Sequence, residues 1–223
     1  MLSLVKILSV ALIINLLFFS VYVFFEPQSV RALEDQIRIT QTVTAEISIT
    51  SPGDVTMSPS IPGMTGSGGV PSTGSATWTV ITNNIQGFSM TIKSSTTPAM
   101  RGDATSDYFD DYTTTNLNIP DHIWGILSDA AEFGYTVEPE TVADTVQLFR
   151  DNGTFCNQPG IQNQIDRCWL NASTSAVTII NRTASTTSSG EAEVVKFQVE
   201  QGASTFKLED TYTATTTVTV VVN

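Results

Sequence analysis

The chain predicts an all-β fold: an antiparallel β-sandwich, jelly-roll or immunoglobulin-like, with a loop-rich middle insertion carrying short helices and one disulfide. Three observations predict it. Threonine fills 33 of the 223 positions, and with valine and isoleucine it favours extended backbone, because a branched Cβ restricts χ1. Several segments alternate apolar and polar residues with period two, the pattern of a half-buried strand. Clusters of Gly, Pro and Ser separate these segments, with no strand–helix alternation and no fixed-period repeat.

The elements follow in order. Met1 to Phe25 is apolar almost throughout, with Lys6 its one charge, and Glu26-Pro27 ends the run. Val30-Arg31-Ala32 offers residues a signal peptidase reads, so residues 1–32 are expected to be a signal peptide, with an uncleaved membrane anchor as the rival. Residues 33–223 then form a single β-sandwich domain with an irregular insertion at about 95–170. Ile37, Ile39, Gln41, Val43, Ala45, Ile47 and Ile49 alternate with Arg38, Thr40, Thr42, Thr44, Glu46 and Ser48, which predicts one long strand. Val55 and Met57 predict a short strand, and Ser58 to Ser75 a loop rich in Pro, Gly and Ser. Ala76 to Thr82 and Phe88 to Ile92, joined by Asn83-Asn84-Ile85-Gln86-Gly87, predict a hairpin, since Asn and Gly tolerate positive φ.

The middle of the chain loses this regularity. Asp121 to Phe133 and Thr141 to Phe149 are expected to be short helices; Val142, Val146 and Phe149 have helical spacing, and Pro139 suits a helix start. Strands return at Ala176 to Ile180, at Glu191 to Val199 and at Phe206 to Leu208. Tyr212, Ala214, Thr216, Val218, Val220 and Val222 share one face of a long terminal strand.

Composition bounds function. Ten basic and 22 acidic residues give a net charge of −12, which argues against nucleic-acid partners because an acidic chain repels phosphate. A hydrophobic fraction of 41% with only 14% charged residues argues against intrinsic disorder. Removing residues 1–32 takes away Lys6, Arg31 and Glu26, so 8 basic and 21 acidic residues remain and the exported part carries −13. In an oxidising compartment Cys156 and Cys168 are expected to pair. A zinc site would need more ligands than these two and the lone His122.

Few residues suggest chemistry. His122 has no Ser-His-Asp context in the sequence, and Asp121 beside it cannot easily orient it. Glu132, Glu138 and Glu140 are formal candidates for a glycosidase carboxylate pair, which only their separation could decide. The expectation is that the protein is not an enzyme. Asp103, Asp107, Asp110 and Asp111 lie close together beside Tyr108, Phe109 and Tyr112, a set of hard oxygens that could take Ca²⁺, although the spacing is not that of an EF-hand loop. No other cofactor is implied. Arg101-Gly102-Asp103 spells an integrin-type tripeptide too short to be specific. Asn152-Gly-Thr, Asn171-Ala-Ser and Asn181-Arg-Thr fit the N-glycosylation pattern. By its alternation Trp78 is expected in the core, whereas Trp124 and Trp169 could form an aromatic platform for a glycan.

The segment Trp78-Thr79-Val80-Ile81-Thr82-Asn83-Asn84 with Gly87-Phe88-Ser89-Met90-Thr91-Ile92 resembles a hairpin of exported bacterial β-sandwich surface proteins. The ending Thr211-Tyr212-Thr213-Ala214-Thr215 through Val218-Thr219-Val220 resembles their last strand, and is distantly similar to the close of WxL-type cell-wall domains. Trp124-Gly125, Phe133-Gly134-Tyr135 and Cys168-Trp169 complete the pattern. The paired tryptophan motifs of true WxL domains are missing, so peptidoglycan binding does not carry over. The resemblance implies a surface protein without catalytic residues. The expected function is a secreted or cell-surface structural or adhesive protein, a fibre or surface-layer subunit joined by terminal-strand exchange through Ile37, Ile39, Val43, Ala45, Ile47 and Ile49. Its expected partners are copies of itself or cell-surface components, with the membrane involved only through an uncleaved N-terminus. A carbohydrate-binding module is the alternative, and a secreted hydrolase ranks last.

Overall fold

The structure is a computed structural model and describes residues 2–24, 35–159 and 164–223. The predicted leader end at Glu26-Pro27 and cleavage point at Ala32 lie outside the described residues. An apolar helix, α1, runs over Leu2–Phe24, and its window Val5–Tyr22 is long and apolar enough to cross a membrane. That is also the form of a signal sequence.

Val43–Asn223 is one compact unit, and it is mostly β. In chain order its strands are β1 (Ile47–Thr50), β2 (Ser72–Thr82), β3 (Phe88–Ser94), β4 (Met100–Gly102), β5 (Tyr108–Asp111), β6 (Ala131–Val137), β7 (Leu170–Asn171), β8 (Val177–Arg182), β9 (Glu191–Gln201), β10 (Tyr212–Ala214) and β11 (Thr216–Val222). The larger sheet has the order β1-β2-β9-β6-β5-β4-β10, with β7 also on β6. The smaller sheet has the order β11-β3-β8. The larger sheet is mixed rather than antiparallel, because β5 pairs with β6 in parallel, Asp110 opposite Glu132. One core joins the two sheets: Ala76, Trp78 and Val80 of β2 and Val195, Phe197 and Val199 of β9 meet Phe88, Met90 and Ile92 of β3 and Ile179 and Ile180 of β8. Trp78 is therefore core, as its alternation predicts.

Four expectations are corrected. First, β2 and β3 form no hairpin. β2 pairs with β1 and β9, and β3 pairs with β8 and β11, so the Asn83–Gly87 turn carries the chain from one sheet to the other. Gly87 makes this corner feasible: its φ is 78°, and a Cβ there would lie 2.1 Å from the Arg182 carbonyl oxygen. Second, the terminal strand divides at Thr215. β10 joins β4 in the larger sheet and β11 joins β3 in the smaller one, while the Thr215 carbonyl accepts the Ser95 N–H at 2.9 Å.

Third, the two helices are not formed. Residues 131–133 of the first open strand β6 and the rest is irregular, and the second holds only two 3₁₀ turns, Val142–Asp144 and Gln147–Phe149. The Val146 N–H is drawn instead to the Ile179 carbonyl at 3.1 Å, next to a bridge between Thr145 and Ile180. Fourth, of the long strand predicted over Ile37 to Ile49 only Ile47–Thr50 pairs, with Thr82 to Thr79 of β2. Glu46 would have to pair beyond Thr82, where β2 ends and the chain turns away. The short strands expected at Val55–Met57 and Phe206–Leu208 are likewise irregular, although Ser58 bridges Thr73.

Candidate interaction surface

The predicted donor segment carries its apolar side chains largely exposed. Residues 35–46 form no strand, and Ile37, Ile39 and Val43 are 80%, 86% and 79% exposed. In the same row Ala45 is exposed, while Ile47 packs against the core and Ile49 lies at the paired edge. The point where the segment joins the fold is fixed by the β2–β3 turn. Asn83 Oδ1 accepts the Glu46 N–H at 2.7 Å, Asn83 Nδ2 donates to the Thr44 carbonyl at 2.9 Å, and Thr82 Oγ1 donates to the Glu46 carbonyl at 2.6 Å. The neighbouring Asn84 Nδ2 donates to the Asn223 carbonyl at 3.0 Å. One turn thus ties down both the root of the segment and the Asn223 end of β11.

The aromatic residues are consumed internally. Tyr112, Trp124 and Trp169 cover the face of β6 that points away from the main core. Trp124 stacks on Tyr112 with centroids 4.2 Å apart and meets Trp169 edge-on at 5.3 Å. Gly134 lets this cluster reach the sheet: a Cβ there would lie 2.9 Å from Tyr112 Cβ and 2.7 Å from the Leu170 carbonyl oxygen. Trp169 is 1% exposed, so it offers no ring face to a sugar, and the predicted platform is corrected to a packing cluster. Trp124 is half-buried and donates its indole N–H to Glu200 Oε2 at 2.7 Å.

Two of the four acidic residues near Tyr108, Asp107 and Asp111, accept protein donors. Asp107 Oδ1 accepts the Tyr108 N–H at 2.8 Å and Lys207 Nζ at 3.1 Å, and Oδ2 accepts the Leu208 N–H at 3.0 Å and the Tyr212 hydroxyl at 2.8 Å. Desolvation pushes this carboxyl up, but those four hydrogen bonds together outweigh it and bring it down to about 2. Asp107 thus fastens the 207–212 segment to β5. Asp111 accepts the Ala99 N–H at 2.9 Å, and Asp103 and Asp110 are exposed. Among the described residues no three His, Cys, Asp or Glu side chains are grouped as metal ligands.

The glycosidase candidates each accept a backbone N–H. Glu132 accepts the Thr113 N–H at 3.0 Å; burial raises its carboxyl despite that bond. Glu138 accepts the Asp166 N–H at 2.8 Å and Glu140 the Ala192 N–H at 3.3 Å. His122 Nε2 is buried without a hydrogen-bond partner, 3.7 Å from Asp151 Oδ1. Asp151 is fully buried and accepts the N–H groups of Gly153 and Gln164 at 2.8 and 2.9 Å, which braces the loop closed by the Cys156–Cys168 disulfide. In the Asn-x-Ser/Thr triplets, Asn152 and Asn181 are exposed and Asn171 is half-buried on β7. Between the sheets, a gap lined by Ile92, Phe133, Tyr135, Ala172 and Phe197 measures about 10 Å³, too small for an organic ligand.

Among the buried polar groups that sequence reasoning missed is a carboxylate. Glu193 of β9 lies opposite Trp78 on the inward row, 1% exposed, and its Oε2 has no hydrogen-bond partner. Nearby Arg182 is committed elsewhere, with Nη1 2.6 Å from Asp144 Oδ2 and Nη2 3.0 Å from Glu191 Oε1. Burial first, then the Asp144 and Glu191 charges, raise the Glu193 carboxyl to about 8 against the pull of Arg182. The odd-numbered row of β9 carried the signal: Glu193 shares it with Val195, Phe197 and Val199. The chain was compared with protein families, with curated proteins and with solved structures, and none of them matches it.

Proposed function

We propose that the chain is an exported, cell-surface structural protein that associates with copies of itself by donating the segment Ile37–Ala45 as a strand. One observation carries this reading: an apolar row in strand alternation, Ile37, Ile39 and Val43, stands about four-fifths exposed with no strand partner among the described residues. Burying each such side chain is worth roughly 1.5–3 kcal/mol, and a ladder to another copy would bury more than one of them together. The apolar helix α1 and the Cys156–Cys168 disulfide support export, since such bonds persist in oxidising compartments.

The test is the size distribution of the protein recovered from an exporting cell. The wild type should form multimers, and the Ile37→Asp, Ile39→Asp, Val43→Asp variant should stay monomeric with an unchanged circular dichroism spectrum and melt. A wild type that remains monomeric at every accessible concentration overturns the reading.

A further inference from the structure

We propose that the donated segment is received on the outer edge of β11, in antiparallel register, so that copies join head to tail. This rests on the self-association proposed above and names the surface that accepts the strand.

Among the described residues the sheets present five edges, of which β7 is only Leu170–Asn171. β8 is already covered, because the Val146 N–H bonds the Ile179 carbonyl and Thr145 bridges Ile180. β1 and β10 run only over Ile47–Thr50 and Tyr212–Ala214. β11 runs over Thr216–Val222 and carries a ladder to β3 on one side only. It is therefore the longest open row of backbone donors and acceptors among the described residues, the situation that invites strand addition. Its inward row is also unfinished. Val218 and Val220 pack against the core but stay half-buried, and Val222 is 41% exposed.

The segment matches this edge in length and pattern. Ile37–Ala45 in extended form covers about 30 Å at roughly 3.3 Å per residue, enough to span β11. The smaller sheet is antiparallel throughout, so an antiparallel addition continues it. Setting Ile39 opposite Val218 places Ile37 opposite Val220 and Gln41 opposite Thr216, the one polar residue of the inward row. The outward row then pairs Thr40 with Thr217 and Arg38 with Thr219, with no like charges facing.

Polarity decides the kind of assembly. Each segment leaves its own fold at Thr44–Glu46, beside the Asn223 end of β11. In the antiparallel pair, the donor's Ala45 lies toward the opposite, Thr216 end of the acceptor's strand. The donor body and the acceptor's own segment thus occupy opposite ends of one copy. Such a contact is heterologous and repeats into an open filament when the rotation between copies does not close. A parallel addition would bring the donor body to the Asn223 end and allow two copies to close.

The experiment co-expresses two exported full-length chains of different tagged length. One carries Thr40→Cys and the other Thr217→Cys, Ser48→Cys or Thr213→Cys, exposed positions on β11, β1 and β10. A short bis-maleimide then reads which edge the segment touches. The expected result is a crosslinked heterodimer with Thr217→Cys, lost when Ile37→Asp and Ile39→Asp are added to the donor. A heterodimer with Ser48→Cys or Thr213→Cys instead overturns β11 as the acceptor while leaving strand donation intact. No heterodimer with any of the three overturns both.

Discussion

Glu193 makes the stability of the fold fall as pH rises, and replacing it with Gln should remove most of that fall. The side chain sits on the inward row of β9 with one carboxylate oxygen unpartnered, and the nearby Arg182 guanidinium already serves Asp144 and Glu191. Its carboxyl is raised from 4.5 to about 8, first by burial and then by the Asp144 and Glu191 charges. An unfolded chain releases this proton near 4.5, whereas the native state holds it to about 8. Between those values the native state binds more protons, so unfolding becomes easier with each rise in pH. The contribution is fully present below 4.5 and gone above 8. Each tenfold gain in proton affinity is worth roughly 1.4 kcal/mol, so the whole contribution is at most about 5 kcal/mol.

Glu193→Gln keeps the shape and cannot ionise. Urea melts followed by circular dichroism from pH 5 to pH 9 should show the variant close to the wild type at pH 5 and several kcal/mol more stable at pH 9. Carboxyls remote from Glu193, such as Asp107 and Glu132, titrate alike in both proteins, so the difference between the curves isolates this group. Parallel curves across the range, or a Glu193 carboxyl carbon that titrates near 4.5 by NMR, would refute the reasoning.

Three further outcomes are expected. Gly134→Ala should cost about 1–3 kcal/mol by overpacking, because its Cβ meets the Leu170 carbonyl and Tyr112; a melting temperature equal to wild type would show that the cluster can yield. Cys156→Ser with Cys168→Ser should lower stability by about 3 kcal/mol through loop entropy, with the loss measured by denaturant melts and matched by reduction of the wild type. Asp107, lowered to about 2 because its hydrogen bonds outweigh its desolvation, contributes stability above its unfolded value of 3.8 that is lost as pH falls through 2. Asp107→Asn should therefore flatten the acid limb of stability between those values, and an NMR midpoint near 3.8 for Asp107 in the native protein would contradict it.

Some of this was legible in the sequence. β2, β9 and the core position of Trp78 follow from alternation, because their two faces see different surroundings. β6 did not follow, because every residue of Ala131–Val137 is buried: the main core covers one face and the Tyr112–Trp124–Trp169 cluster the other. A strand covered on both sides has no period-two signal. The close acidic spacing around Tyr108 suggested a shared ion, yet the groups that hold Asp107 are Lys207, Leu208 and Tyr212, about a hundred positions along the chain. Local density cannot show such partners. The disulfide was readable because the chain offers only two cysteines to pair.

Alternation reports how a segment meets its surroundings, not which strand it meets. This is why β2 and β3 looked like a hairpin although they belong to different sheets, and why Tyr212 to Val222 looked like one strand although Thr215 divides it between two. The same point bears most heavily on residues 37–49. Their pattern is as regular as that of β9, yet β2 runs out at Thr82 and only the last part finds a ladder. Exposed isoleucine and valine in the rest of the row gain nothing for the isolated fold, and hydrophobic surface of this kind favours association. A strand pattern left over after the ladders among the described residues have been assigned is what motivates the proposed ladder with another copy. The half-buried valines of β11 leave an edge of matching polarity for it.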